Sequence, residues 1–521
     1  MPPREATKQP VPEHEILRDD FDVPVLQTAV APLEAAVTAE QPDMARPARH
    51  SNRDSDAGRL LLMPAEIRSW NGVTKASTEL WRADSLRGRF ARGAVWSLIG
   101  AVISQGSNLA ASVITARLLG RLQFGEYGMI QSTVGMLGIF AGLGLGVTGT
   151  KYVAEFRSRD PERAGRIVAL GCAVAMASGG LLAVGLAIYA PLLAARTLNA
   201  PALATELRAA SVLLFFNAVN GAQTGALSGL EAFRAIARIN MARGFITFPI
   251  TVGLVVLWRL PGAVWALAVT AAVTCLLCEL SLRHHCAVAG IRPRFSRAWR
   301  ERRVLWAFSM PAFLSGALVG PVTWAVNTML LNQPGGYAEM GVFSAASQWR
   351  TAVAFLPALL SQPLLSILSN VGATDRQSFR RLLRANIFLA FGLSSCIAAP
   401  IVLCASWIMR VYGPGFTEGR PILILLVLAA VISVTAGVIG QAIVSLDRMW
   451  WGLTLNLVWA VVTLTAAALL VPRYGALGLA LAFLGSYMVH ALTVSAYAYV
   501  HLRSRWVRLE PTARSVATST L

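Results

Sequence analysis

The sequence predicts an all-α polytopic membrane protein with about 12 transmembrane helices, arranged as two parallel six-helix repeats around a central cavity. The first reason is composition: 55% of the 521 residues are hydrophobic, only 14% are charged, and the mean hydropathy is +0.56. The second is that charge-free stretches of roughly 20 residues, enough to cross about 30 Å of hydrocarbon, recur from residue 93 almost to the end. The third is an internal repeat.

The repeat is visible in three short matches between the two halves of the chain. Residues 124–130 read FGEYGMI, and residues 337–343 read YAEMGVF, 213 positions later. Two further pairs agree at offsets up to 216: Leu230-Glu231 with Leu446-Asp447, and Pro261-Gly262-Ala263 with Tyr474-Gly475-Ala476. Three matches in the same order and at nearly the same offset indicate a duplicated half.

The elements follow from hydropathy along the chain. Residues 1–92 contain no hydrophobic signal-peptide core, and we expect a disordered cytoplasmic tail there. The predicted spans are approximately 93–116, 127–150, 167–195, 209–230, 241–258, 261–282, 304–332, 340–370, 385–409, 421–446, 449–471 and 475–500. The expected domains are the tail at 1–92, an N-terminal six-helix lobe with a basic cytoplasmic linker at 93–303, a C-terminal six-helix lobe at 304–502 and a cytoplasmic tail at 503–521.

The net charge of +19 comes from the membrane part, because residues 1–92 hold 13 Lys/Arg and 14 Asp/Glu. In the membrane part, alternate connections carry 24 Lys/Arg on one side and 8 on the other. This bias predicts that both termini are cytoplasmic. We find no basic cluster interleaved with aromatic residues on an amphipathic element, so no nucleic-acid partner is expected.

Cysteine and histidine give no metal or redox site. Five of the six cysteines lie in or beside apolar spans, where a cysteine packs as a small apolar side chain, and this interpretation includes the pair Cys275 and Cys278. Cys286 follows His284-His285 among arginines, which is typical of an interfacial basic loop. We therefore expect no cofactor.

Arg350 is the strongest candidate for function. It lies eleven positions beyond Glu339, the outer start of its span, or about 16 Å along a helix and thus near mid-bilayer. A charge at that depth is costly unless it faces a bundle interior or a watery cavity. A structural alternative is that Arg350 pairs with carbonyls of another helix or with Gln348. Glu279, one turn before Arg283, is explained by an interfacial i,i+4 pair.

Uncharged polar residues mark helix faces that avoid lipid. One stripe in the first span comprises Ser97, Ser104, Asn108, Ser112 and Thr115, and one in the fourth comprises Asn217, Asn220, Gln223 and Thr224. Together with Asn327, Gln348 and Arg350 from the second repeat, these stripes fit a polar cavity between two lobes. Hydrogen bonding between helices would produce similar stripes and is the alternative.

Several motifs resemble one transporter family. They are TARLLG at 115–120, FGEYG at 124–128, GVFSAA at 341–346 and LPAL at 356–359. Over roughly residues 90–500 the chain resembles the polysaccharide transporter (Wzx-type) flippases of the multidrug/oligosaccharidyl-lipid/polysaccharide exporter superfamily.

The resemblance implies two six-helix lobes around a cationic cavity in a bacterial inner membrane. It implies movement of a polyprenyl-diphosphate-linked oligosaccharide to the periplasmic leaflet, for exopolysaccharide, capsule or O-antigen (lipopolysaccharide) synthesis. Arg350 and, at the outer rim, Arg117 are the implied diphosphate ligands. The implied partners are the lipid-linked oligosaccharide, membrane lipids, and polymerase and export machinery. The chain departs from this pattern because its first half has no deep arginine of its own.

Two other functions compete with the flippase. A cation-coupled drug antiporter of the same superfamily would need a deep Asp or Glu, which the predicted spans lack. A membrane polysaccharide polymerase or ligase would need a sizeable outer loop with catalytic groups, whereas every predicted outer connection is short. The sequence therefore favours a transporter and not an enzyme.

Overall fold

The computed structural model of the protein describes residues 86–372, 376–444 and 449–507. Most of the two predicted tails lies outside the described residues. The helices of the first half are α1 (Leu86–Gly142), α2 (Leu145–Phe156), α3 (Pro161–Leu192), α4 (Ala204–Gly229) and α5 (Phe233–Val288). Those of the second half are α6 (Met310–Gly316), α7 (Val319–Leu331), α8 (Gly336–Gly372), α9 (Arg376–Leu403), α10 (Ala405–Tyr412), α11 (Arg420–Val444) and α12 (Met449–Val507). Short 3₁₀ or π turns join them at Leu193–Thr197, Pro201–Leu203, Phe295–Glu301, Leu305–Ser309 and Pro414–Gly419.

Three helices are too long for one crossing and contain a sharp turn. α1, α5 and α12 have 57, 56 and 59 residues, and each has one non-helical residue inside: Gly120, Arg259 and Gly475. In α5 a Cβ added at Gly262 would lie 1.9 Å from the Leu254 carbonyl oxygen. Eight residues of straight helix span about 12 Å, so the chain reverses at this turn.

The number of crossings agrees with the predicted fold class. Seven helical segments of the described residues are long and apolar enough to cross a membrane. Three of them consist of two arms joined at the turns, which makes ten crossings. The segment that contains the apolar helix α7, and α8, bring the number to twelve. The prediction of an all-α polytopic membrane protein is confirmed, while the exact lobe boundaries at 303 and 502 stay predictions.

The same backbone turn occurs in both halves, three positions out of register with the sequence match that paired Gly262 with Gly475. Arg259 has φ 53° and ψ −129°, and Gly475, 216 positions later, has φ 54° and ψ −131°. The two copies of the repeated string also pack against each other. A Cβ added at Gly125 would lie 1.8 Å from the Tyr337 carbonyl oxygen, and one at Gly341 would lie 2.0 Å from the Arg121 carbonyl oxygen. Only glycine permits this backbone approach at both places.

The largest hydrophobic core joins the two halves at this packing site. Phe124 of α1 is fully buried against Tyr412 and Phe416, with ring centroids 6.5 and 6.0 Å away. The second half adds Phe343 and Phe483, stacked at 5.9 Å. Large aromatic side chains therefore hold the ends of the helices together near the Gly120 turn.

The second predicted span, 127–150, is interrupted. α1 ends at Gly142, and α2 begins at Leu145. Leu143 and Gly144 have φ values of 44° and 69°, outside the helical region. The hydropathy of this stretch is uniform, so the break could not be read from it.

Candidate functional site

A polar cavity of about 1030 Å³ lies between helices of the first half and one face of α8. Its polar lining residues include Gln105, Asn108, Ser112, Thr115, Gln131, Thr150, Asn217, Asn220, Thr224, Ser228, Asn240, Arg243, Thr247, Thr251, Thr270, Thr274, Gln348 and Thr351. Because residues 105–115 and 127–135 line the same space, the two arms of α1 fold back on each other. Asn217 and Thr224 are exposed in the cavity.

Helical spacing explains why these polar residues meet. On α1, residues 105, 108, 112 and 115 recur every three or four positions and share one face. On α4, residues 217, 220, 224 and 228 do the same, and the Asn220 amide nitrogen donates to the Ala271 carbonyl at 3.1 Å. The Asn220 amide oxygen is buried without a hydrogen-bond partner among the described residues. The walls therefore present amides and hydroxyls in a membrane-embedded space.

Four predicted site residues line this cavity: Asn108, Asn217, Asn220 and Gln348. Gln223 does not. It lies one position before Thr224, about 100° around the helix, and its amide nitrogen donates to the Glu279 carboxylate at 3.0 Å. Glu279 also accepts from Arg283 at 2.7 Å, so the predicted i,i+4 pair is present.

Asn327 lies on a seam between the halves and outside the cavity wall. Its amide nitrogen donates to the Ser132 hydroxyl at 3.0 Å, and the neighbouring Trp324 indole donates to the Thr133 hydroxyl at the same distance. Asn327 is buried. These bonds join α7 to the second arm of α1. They are the hydrogen bonds between helices that were the alternative explanation for the polar residues.

Arg350 is close to the cavity but does not line it. Its guanidinium lies over the Phe483 ring, 5.4 Å from the centroid. The Arg350 Nε is buried without a hydrogen-bond partner among the described residues. Gln348 and Thr351, on either side of it in sequence, do line the cavity. Arg350 thus occupies the contact between α8 and α12.

Arg117 lies at the end of the bundle that carries the Gly120, Arg259 and Gly475 turns, which we call the turn end. It is exposed, and its Nε donates to the Val411 carbonyl. The α1 wall of the cavity ends at Thr115, two residues earlier. In this state Arg117 therefore connects the first half to α10.

Further bonds between the halves close the cavity at the turn end. The Tyr337 hydroxyl donates to the Leu198 carbonyl at 2.7 Å, and the Asn199 amide nitrogen donates to the Asn332 amide oxygen at 3.4 Å. Arg121 and Glu418 form an exposed ion pair at 3.8 Å. The opposite end of the cavity is bounded by Ser228 and Ile236, beside the α4–α5 junction.

Arg243 was not among the predicted site residues. Hydropathy placed it in a connection between spans, and no deep arginine was expected in the first half. α5 begins at Phe233, however, so Arg243 lies almost three turns inside the helix, where it lines the cavity. Arg243 is the one charged residue on the wall formed by the described residues, and no described carboxylate pairs with it. The spacing of Asn240, Arg243, Thr247 and Thr251 was the signal that could have found it.

The chain is similar in sequence to a known protein family and to bacterial export proteins. The family described as "Polysaccharide biosynthesis protein" matches residues 90–369. "EPS I polysaccharide export inner membrane protein EpsE" of Ralstonia nicotianae is 24% identical over 414 residues, covering 78% of this chain and 93% of that protein. The protein of the same name from Ralstonia solanacearum is 24% identical over 421 residues, covering 76% and 91%.

Solved structures share the fold. An inward-facing multidrug resistance MATE family transporter of the MOP superfamily has a TM-score of 0.64 at 16% identity, covering 79% of this chain and 98% of that one. An outward-facing structure of such a transporter has a TM-score of 0.58 at 17% identity, covering 82% and 98%. At these identities the likeness is one of architecture.

Proposed function

Because the chain belongs to the polysaccharide biosynthesis protein family, we propose that it is a flippase for a polyprenyl-diphosphate-linked oligosaccharide. It moves the headgroup from the cytoplasmic to the periplasmic leaflet during synthesis of a surface polysaccharide. The bacterial relatives are named for polysaccharide export and for the inner membrane, which supports this substrate class and location.

The cavity is the observation that carries the proposal. Its volume of about 1030 Å³ reaches the upper end of the range for small-molecule pockets, roughly 300–1,000 Å³, which suits several linked sugars. Amide and hydroxyl side chains on its walls can exchange hydrogen bonds with sugar hydroxyls. The lipid tail needs no pocket, since it can stay in the bilayer while the headgroup crosses.

Arg243 supplies the charge that a diphosphate requires. A guanidinium can bind a phosphate through two parallel hydrogen bonds, which are stronger when both groups are charged. No described carboxylate pairs with Arg243, so it is available for an anion. The arrangement supports phosphate capture by the first half of the chain.

Arg350 would bind the diphosphate later in the transport cycle than Arg243 does. Its present partner is the Phe483 ring, a weaker site for a cation than a diphosphate. When the halves change their relative position, α8 and α12 can separate and release Arg350 toward the cavity face that carries Gln348. We propose that Arg350 then receives the diphosphate from Arg243.

The positive-inside bias sets the proposed direction. With both termini in the cytoplasm, the turn end faces the periplasm and the α4–α5 junction faces the cytoplasm. The described state, closed at the turn end, then accepts substrate from the cytoplasmic leaflet. Arg117 and Tyr337 belong to the periplasmic gate that must open before release.

Substitution of Arg243 and of Arg350 tests the proposal. We expect Arg243→Ala and Arg350→Ala each to lower translocation of the lipid-linked oligosaccharide by about ten- to a hundredfold, the value of a lost charged hydrogen bond. The measurement is surface polysaccharide, together with the lipid-linked intermediate that accumulates in the cytoplasmic leaflet. Arg238→Ala is the matched control, because Arg238 is exposed on the same helix and does not line the cavity. Normal surface polysaccharide in both variants would refute the assignment.

The antiporter and polymerase alternatives predict different results. An antiporter needs a free carboxylate near its site, but Glu279 is bonded to Gln223 and Arg283. A polymerase or ligase would join glycans in vitro, whereas a flippase would not. Mass spectrometry of lipids that copurify with the protein separates all three, since only the flippase should retain a lipid-linked oligosaccharide without processing it.

A further inference from the structure

We propose that residues 292–306, which we call the linker segment, bind the headgroups of anionic phospholipids at the membrane surface. The segment follows α5 and leads into the second half of the chain. It does not line the cavity, and the inference does not depend on the proposed substrate.

One face of the linker segment is fixed to the bundle. Residues Phe295–Glu301 form a 3₁₀ helix, in which positions three apart share a face. Ala298 and Glu301 are three apart and buried. Ala298 packs against Ala169 and Leu170 of α3. The remaining faces of the segment therefore point away from the protein.

The carboxylates next to the linker segment already form ion pairs with arginines of the protein. Glu301, whose side chain is 11% exposed, accepts from Arg163 and Arg166 of α3, both at 3.1 Å. Arg294 pairs with Glu162 at 3.4 Å. The other arginines of the segment are exposed, and none forms an ion pair with another described residue: Arg292, Arg297, Arg300, Arg302 and Arg303. Five unneutralised cations thus lie on one short stretch.

Large aromatic side chains alternate with these arginines. Phe295, Trp299 and Trp306 are 58%, 60% and 70% exposed. No basic cluster interleaved with aromatic residues was expected from the sequence, and the linker segment corrects that expectation. Tryptophan and arginine together are typical of the boundary between hydrocarbon and headgroups, where rings enter the acyl region and cations meet phosphates. Since Trp306 lies in the turn that opens the next membrane segment, the bilayer surface is the partner within reach.

The charge excess distinguishes anionic from zwitterionic lipid. Each arginine near an anionic surface strengthens binding by about fivefold. A segment that only fills space at the interface would bind both kinds of lipid equally. We therefore expect preference for phosphatidylglycerol over phosphatidylcholine, with the arginines as its source.

The test uses the full-length protein in nonionic detergent and native mass spectrometry of retained phosphatidylglycerol. We expect the variant with Arg297, Arg300, Arg302 and Arg303 all changed to Gln to bind phosphatidylglycerol at least about tenfold more weakly than wild type. The same four positions changed to Lys keep the charge and should keep the binding. A control variant, with Arg380, Arg381 and Arg384 changed to Gln, removes three exposed cations from α9 and should bind like wild type.

An equal loss of phosphatidylglycerol binding in the linker and α9 variants would overturn the proposal, because any basic surface would then be enough to bind the lipid. Equal retention of phosphatidylcholine by wild type would overturn it too. If the Gln variant does not fold, Trp299→Phe gives an independent measurement in bilayers with lipids brominated near the headgroup. The difference in fluorescence between wild type and Trp299→Phe reports Trp299 alone. We expect the brominated lipids to quench this difference signal strongly. An unquenched Trp299 would place the segment away from lipid and refute the inference.

Discussion

At the scale of single residues, Arg259 and Gly475 occupy the same turn in the two halves with different chemistry. Both have φ near 54° and ψ near −130°, a region that glycine enters freely and other residues do not. Arg259 is held there while its guanidinium donates to the Leu118 carbonyl beside the Gly120 turn. Gly475 lies under Glu339, whose carboxylate accepts from the Ala476 backbone N–H at 3.0 Å.

Substitutions at this turn should separate backbone strain from side-chain bonding. We expect Gly475→Ala to destabilise the protein by about 1–3 kcal/mol, because alanine is strained at this φ. Its Cβ would also lie 3.0 Å from the Glu339 carboxylate. Gly485→Ala is the control on the same helix, where nothing lies within 4 Å, and it should be neutral or slightly stabilising. The measurement is thermal stability in detergent by size-exclusion chromatography.

Arg259 permits the opposite change, in which glycine replaces a side chain on a strained backbone. Arg259→Gly and Arg259→Ala both lose the bond to Leu118, but only glycine relieves the backbone. Arg259→Gly should therefore be more stable than Arg259→Ala by about 1 kcal/mol. Equal stability of the two variants would show that the turn stores no strain.

At the scale of elements, α5 and α8 show how far a sequence predicts the site. Hydropathy placed the start of α5 at 241, eight residues after Phe233, because the first turns of this helix are too polar to register as membrane-spanning. On α8 the prediction put both Gln348 and Arg350 in the cavity. Two positions on a helix differ by about 200°, and in the described state only Gln348 faces the cavity. Composition and helical periodicity predicted the fold and the polar stripes. The direction in which each side chain points, and its hydrogen-bond partners, depend on how the helices pack and could not be predicted in this way.

The Glu301 carboxylate joins the linker segment to α3 through two ion pairs. Glu301→Gln should loosen the segment from α3, because Arg163 and Arg166 would lose the carboxylate that both now share. We expect trypsin to cut after the linker arginines about fivefold faster or more, since cleavage follows the population of the open segment. Glu162→Gln is the control: this side chain is 66% exposed, so its pairs with Arg166 and Arg294 contribute little. An unchanged cleavage rate in Glu301→Gln would show that apolar packing alone holds the segment.

At the scale of the whole molecule, the duplicated halves meet most closely at the turn end. The backbones of the two repeated strings come into contact at Gly125 and Gly341. Aromatic side chains pack between the halves next to this contact. Bonds such as that from Tyr337 to the Leu198 carbonyl cross the same boundary. Any state open at the turn end must break these contacts. The repeat therefore supplies the gate, whereas the chemistry of the cavity comes mostly from the first half.

A reversible cross-link at the turn end tests this division. Asn199 and Asn332 are already joined at 3.4 Å across the boundary, so Asn199→Cys with Asn332→Cys, in a background free of the six native cysteines, should accept a short cysteine cross-linker. We expect the cross-linked protein to keep binding substrate but to lose translocation nearly completely, and a reducible cross-linker should let reduction restore it. Asn199→Cys alone, treated in the same way, should transport normally. Full translocation by the cross-linked protein would mean that the turn end need not open, and the proposed path through the cavity would then be wrong.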